Sequence, residues 1–139
     1  MPRTHTSSFR IEFGDCDPAQ IVFYPNYFKW MDIAALHFFN ACGIPSWRET
    51  KAERGIIGAP LINATAKFLS SATYPEPIEV DTSVQEIRGK SFVLRHVIRR
   101  GDTVLVEGEE IRIFAIEDPA DSKRIKAVPI PEDILSQWV

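Results

Sequence analysis

Asp15 and Asp17 stand in the stretch GDCDPAQIVFYPNY, Gly14 to Tyr27, just ahead of a helix start. Pro25 suits the first helical position, because its φ is preset and the N–H it lacks would be orphaned there anyway. A helix start presents free backbone N–H groups and the positive end of a dipole. An acidic side chain a few residues before such donors can attack a carbonyl while they hold the developing oxyanion. As residue types alone, Asp15 and Asp17 fit turn or cap positions equally well. A calcium loop is excluded on spacing: counted from Asp15, position 6 is Gln20 and position 12 is Asn26, where glycine and glutamate are needed.

Other reactive types lack the company that chemistry requires. His5, His37 and His96 have no metal-ligand spacing to one another or to a cysteine, and each reads as structural. Cys16 lies between two acids, which oppose the thiolate that a nucleophile needs, so Cys16 and Cys42 read as small packing groups. Arg88, Lys90 and Ser91 cluster at a turn around Gly89 and suit phosphate oxygens, although charged hairpin turns are common. Arg124 and Lys126 are weaker candidates for the same task. No P-loop or dinucleotide fingerprint is present.

The elements that must hold these residues follow from periodicity. Residues 8–13 alternate as a first strand. Residues 25–41 read as a long helix stopped by Gly43, with Asn26, Lys29, His37 and Asn40 in a narrow polar stripe. The rest of that helix is apolar enough to need cover on nearly every side. Ser46, with Glu49 three residues on, opens a short helix through Arg54, and 55–60 reads as a loop. Strands follow at 61–69, 78–87, 91–99, 103–116 and 124–128, with a bulge expected at Gly108, and a last helical turn lies within Ile130 to Trp138. A strand, a long helix and then a run of closely connected strands is an α+β arrangement with antiparallel pairing.

The chain has 139 residues, 45% of them hydrophobic and 25% charged, which fits one domain, 1–139, able to bury a core without disulfides. A net charge of −3 argues against a general nucleic-acid or membrane binder. The start, MPRTHTSSFR, lacks the apolar segment of a secretory signal, and no run reaches transmembrane length; a cytoplasmic protein with reduced thiols is expected.

The string GDCDPAQIVFYPNYFKWMD resembles the signature of the 4-hydroxybenzoyl-CoA thioesterase family of hotdog-fold acyl-CoA thioesterases. WRETKAERGI and GKSFVLRH are similar to further stretches of it, so the resemblance covers most of the chain. It implies a hotdog fold: a central apolar helix wrapped by a curved antiparallel sheet of about five strands. It also implies edge-to-edge pairing into a homo-oligomer, a dimer or a dimer of dimers, with active sites at the dimer interface.

The implied activity is hydrolysis of an aromatic acyl-CoA, foremost 4-hydroxybenzoyl-CoA, to the free acid and CoA, with no cofactor and no metal. Alternatives are a thioesterase for another aryl- or short-chain acyl-CoA and a non-catalytic acyl-CoA binding module; a hotdog dehydratase fits less well, lacking its histidine. Asp17 aligns with the acidic residue that acts on the thioester, as nucleophile or general base, and Tyr24 contributes its backbone N–H as oxyanion donor, while Asp15 stays structural. Arg88, Lys90 and Ser91 would meet the CoA phosphates, with Arg124 and Lys126 in support. Family members usually have glycine where Gln20 stands. Asp32 has two readings: an ion pair with Lys29 or another subunit, or a place in the acyl pocket accepting a hydrogen bond from a phenolic hydroxyl.

Overall fold

The computed structural model describes residues 3–139. In chain order it contains β1 (Thr4–Ile11), a 3-10 turn (Phe13–Asp15), α1 (Pro25–Ala41), α2 (Trp47–Arg54), β2 (Ile56–Gly58), β3 (Leu61–Phe68), β4 (Glu76–Arg88), β5 (Ser91–Arg100), β6 (Thr103–Asp118), β7 (Asp121–Val128) and α3 (Glu132–Trp138). The antiparallel sheet runs β1-β4-β5-β6-β2, and β3 and β7 also pair with β6. The class is α+β, a curled antiparallel sheet with α1 packed on its inner face. β1 starts earlier than its alternation suggests, and residues 13–15 form a turn, because Asp15 and Glu12 cap one another there. β2 lies where a loop was expected.

α1 begins on Pro25 and buries Tyr27, Trp30, Met31, Ala34, Ala35, Phe38 and Phe39. Two apolar clusters share this face. One gathers around Tyr27, Trp30 and Met31, with Ile78, Val80 and Ile98 beneath; the other gathers around Phe38 and Phe39, with Phe92, Phe114 and Trp138. The helix is not covered all round. Lys29, Asp32, Leu36 and Asn40 stay exposed, at spacings of three and four that make one open stripe. α2 is capped as its sequence predicts, with Ser46 Oγ accepting from Glu49 N at 3.2 Å.

Gly108 is not a bulge. It pairs in register with Ala66 on one side and His96 on the other. A Cβ there would fall 2.5 Å from Met31 Cε, so glycine lets α1 lie close against the sheet. The inner face of β6 therefore keeps an unbroken period of two through Val106, Gly108, Glu110, Arg112 and Phe114, all buried. Ile111 and Ile113 point to the other face. Two of these inward positions, Glu110 and Arg112, carry charge.

Candidate active site

The residues of interest fall into two groups, one at each end of the helix–sheet sandwich. The first is the loop before α1. Cys16 and Val22 form a β-bridge, and between them the chain makes a tight turn. Asp17 N donates to Ile21 O at 2.9 Å, and Gln20 N donates to Asp17 O at 2.8 Å. Gln20 closes this turn at φ 66°, a left-handed conformation that glycine adopts more easily. Val22 N donates to Ala72 O at 2.9 Å and ties the loop to the neighbouring wall.

Asp15 and Asp17 are used differently. Asp15 Oδ2 accepts from Glu12 N at 2.8 Å, and the Asp15 carbonyl accepts from Phe23 N and from Asn26 Nδ2, each at 2.9 Å. Asp15 thus staples the loop to the helix start. Asp17 is half-buried; Oδ1 accepts from Ala19 N at 2.9 Å, and Oδ2 meets no donor among the described residues. The Tyr24 N–H likewise meets no acceptor among the described residues, while its carbonyl accepts from Tyr27 N at 3.1 Å. Pro25, which follows, has no N–H to compete. The Tyr24 ring is exposed and packs edge-on to Phe68. Together with Ile21, Tyr27, Phe68 and Leu69 it lines a cavity of about 220 Å³.

The second group surrounds a cavity of about 490 Å³ between α1, α2, the 57–60 segment and β7, lined by Asp32, Leu36, Trp47, Pro60, Arg112 and Ile125 among others. Asp32 pairs with Arg112, not Lys29: Arg112 Nη2 donates to Asp32 Oδ1 at 2.8 Å. Arg112 Nη1 donates to the Ala59 carbonyl at 2.7 Å. Glu110 receives Arg112 Nε at 3.1 Å and Nη2 at 2.9 Å, and shares 2.6 Å with His96 Nε2. The other ring nitrogen of His96 lies 2.8 Å from Thr82 Oγ1.

Burial pushes the Glu110 carboxyl up, but the hydrogen bonds and charges of His96 and Arg112 outweigh it, so Glu110 is held below its ordinary pKa. An ionised Glu110 only accepts, so His96 Nε2 must carry a proton. Burial likewise opposes the Arg112 cation, and the bonds to Glu110 and Asp32 more than offset that.

The remaining sequence candidates lie on the surface. The β4–β5 turn carries exposed Arg88 and Lys90; Arg88 pairs with Glu86 at 2.8 Å, and Ser91 Oγ donates to the Arg88 carbonyl at 3.1 Å. Ser91 is the register partner of Ile113 on β6, and Lys126 of Ile116, so this turn and β7 flank the same end of β6 as Arg112. Arg124 is exposed, 3.8 Å from Asp121. His37 bonds Ser7 of its own chain at 3.0 Å, in keeping with a structural reading. Asp17 and Tyr24 are far from this end: Arg112 and Val106, the register partner of Phe68, are six residues apart on β6, about 20 Å.

Glu110 and Arg112 are the residues that sequence reasoning missed. Their signal was the strand period itself, which places both on the face defined by Val106 and Phe114.

A curled sheet around one long helix, with an acidic loop ahead of the helix start, defines a hotdog-type thioesterase scaffold. Residues 11–138 match the family model of the thioesterase-like superfamily, and the chain belongs to that family. It is 44% identical to 4-hydroxybenzoyl-CoA thioesterase of Pseudomonas sp. (strain CBS-3), over 97% of each chain. The crystal structure of the D17N variant of a 4-hydroxybenzoyl-CoA thioesterase, complexed with 4-hydroxybenzoyl-CoA, superposes with a TM-score of 0.91 at 42% identity, over 99% of both chains. A gentisyl-coenzyme A thioesterase superposes with a TM-score of 0.80 at 35% identity, over 94% of this chain and 99% of that one. Among the described residues no helix is long and apolar enough to cross a membrane.

Proposed function

We propose that this protein hydrolyses an aromatic acyl-CoA, 4-hydroxybenzoyl-CoA, to 4-hydroxybenzoate and CoA. The observation that carries the reading is that one tight loop holds both a half-satisfied carboxylate, Asp17, and an N–H with no acceptor among the described residues, Tyr24. The thioester oxygen accepts from the Tyr24 N–H, which strengthens as negative charge builds on it. Asp17 acts at the carbonyl carbon in one of two ways. As a nucleophile it forms a mixed anhydride, expels the CoA thiolate and is released by water; as a general base it takes the proton of an attacking water. Either route ends in carboxylate and thiol. The wall of Ile21, Tyr27 and Phe68 keeps the reacting group among apolar side chains.

The acyl ring is read by a second protomer. β3 pairs only with β6 among the described residues, and its flank exposes Leu61, Ile62, Phe68 and Leu69. β1, the strand at the other end of the sheet, presents mainly polar residues. An apolar free edge favours strand pairing with a second copy. Antiparallel pairing of two β3 strands sets the Phe68 end, beside Tyr24, against the Leu61 end, beside Arg112. Asp17 and Tyr24 of one protomer then meet Asp32 of the other, and Asp32 accepts the phenolic hydroxyl. Arg88, Lys90 and Ser91 hold the CoA phosphates, with Arg124 and Lys126 in support.

The test is thiol release from 4-hydroxybenzoyl-, benzoyl- and hexanoyl-CoA under one set of conditions. Turnover led by the hydroxylated aryl ester supports the reading. Faster turnover of hexanoyl-CoA would move the substrate class, and binding without thiol release would leave an acyl-CoA binding module.

A further inference from the structure

Thr82, His96, Glu110 and Arg112 form a continuous hydrogen-bonded chain across β4, β5 and β6, buried at every member. It ends on Asp32, the one member open to solvent, whose side chain is 65% exposed. No buried side-chain nitrogen or oxygen among the described residues lacks a partner. Charged groups this deep are costly, and a well-packed apolar set would serve stability as well. The chain therefore calls for a use other than holding the sheet together.

Its geometry indicates that use. The Arg112 guanidinium is gripped on one edge by Glu110, and Glu110 is set by His96, itself set by Thr82. The donors left over point to two places on the cavity wall: Asp32 Oδ1 on α1 and the Ala59 carbonyl in the segment leading to β3. Oδ2 of Asp32 meets no donor among the described residues. A planar guanidinium locked in this way orients a carboxylate as a point charge cannot.

We infer that Arg112, fixed by Glu110 and His96, is a positioning residue for hydroxyl selection: it turns Asp32 so that Oδ2 faces the acyl pocket and holds the Ala59–Pro60 wall opposite. This rests on the reading of Asp32 as the acceptor for a phenolic hydroxyl. Arg112 touches neither the thioester nor the nucleophile, so it governs which ester is preferred rather than how fast a thioester is cleaved.

The test is the ratio of kcat/KM for 4-hydroxybenzoyl-CoA to that for benzoyl-CoA, with melting temperature measured alongside. Arg112→Lys keeps the buried cation but loses the planar fork that bonds Glu110, Asp32 and Ala59 from three separate nitrogens. It is expected to lower the ratio about tenfold or more, the scale of a small misplacement, while benzoyl-CoA turnover stays within about threefold. In an Asp32→Ala background the same change should leave the ratio where Asp32→Ala alone puts it. Should Arg112→Lys not fold, the double variant Glu110→Gln/Arg112→Met removes both buried charges, keeps an acceptor for His96, and is expected to lower the ratio in the same way.

A folded variant with the wild-type ratio, or one that loses both esters equally, would overturn the inference while leaving the proposed activity intact. A wild type with no preference for the hydroxylated ester would overturn the Asp32 reading and this inference together. A wild type with no thioesterase activity would overturn the proposed function itself.

Discussion

The two ends of the helix–sheet sandwich handle polar groups in opposite ways. At one, the start of α1, Asp17 has an oxygen without a donor and Tyr24 has an N–H without an acceptor among the described residues. At the other, where Arg112 meets Asp32 near the middle of α1, the His96–Glu110–Arg112 chain is complete, and no buried side-chain nitrogen or oxygen among the described residues lacks a partner. Unmade hydrogen bonds at a solvent-reachable loop cost little while water fills them, and they become strong when a substrate replaces the water. Unmade bonds in the core have no water to fill them, so the buried chain must be complete before the protein is stable. One end keeps partners free among the described residues, as the proposed chemistry requires, and the other is closed except at the exposed Asp32 carboxylate.

The largest effect expected from breaking this contrast is at Asp17. Asp17→Asn keeps the acceptor for Ala19 N and therefore the turn, but removes the anion. Turnover should fall about 1000-fold or more, as when a nucleophile or its base is lost, while CoA-ester binding and melting temperature stay near wild type. Near-normal turnover in single-turnover kinetics would end the assignment of chemistry to this loop.

Next in size is a break at the closed end. Glu110→Ala leaves the Arg112 cation and the His96 N–H buried without their acceptor, which should cost about 3–5 kcal/mol in denaturant unfolding. The acid limb gives a second reading. Because the folded Glu110 carboxyl sits below its ordinary value of 4.5, its contribution is present above that pH and is lost as pH falls through the folded pKa. Glu110→Gln should therefore flatten the loss of melting temperature below about pH 4.5. An equally steep acid limb in that variant would show that other carboxylates set it.

The smallest effect belongs to the surface. With Arg88 and Lys90 on the CoA phosphates as proposed, Arg88→Ala and Lys90→Ala act far from the carbonyl, on groups bound alike in the ground and transition states. They should raise KM for CoA esters about tenfold at most and leave kcat nearly unchanged. A fall in kcat at constant KM would place the phosphate site elsewhere.

Local spacing was sufficient where neighbours in sequence are neighbours in space. Pro25 and Gly43 bound α1, Ser46 caps α2, and the turn at Gly89 joins β4 to β5, because each feature acts within a few residues. The acidic loop ahead of a helix start was legible for the same reason, and the signature string that contains it is contiguous in the sequence. The division of labour between Asp15 and Asp17 was not legible from residue type, since it depends on which carboxylate Glu12 N reaches.

What only the tertiary structure decided lies across strands. Gly108 looked like a bulge because no local rule indicates that Met31, far away in sequence, needs its space. Glu110 and Arg112 carry no local sign of their partners, which His96 on β5 and Asp32 on α1 supply. A buried charge is stable only with its counter-charge, and the counter-charge is chosen by the packing of distant segments, so sequence periodicity can place such a residue on a face but cannot say what completes it.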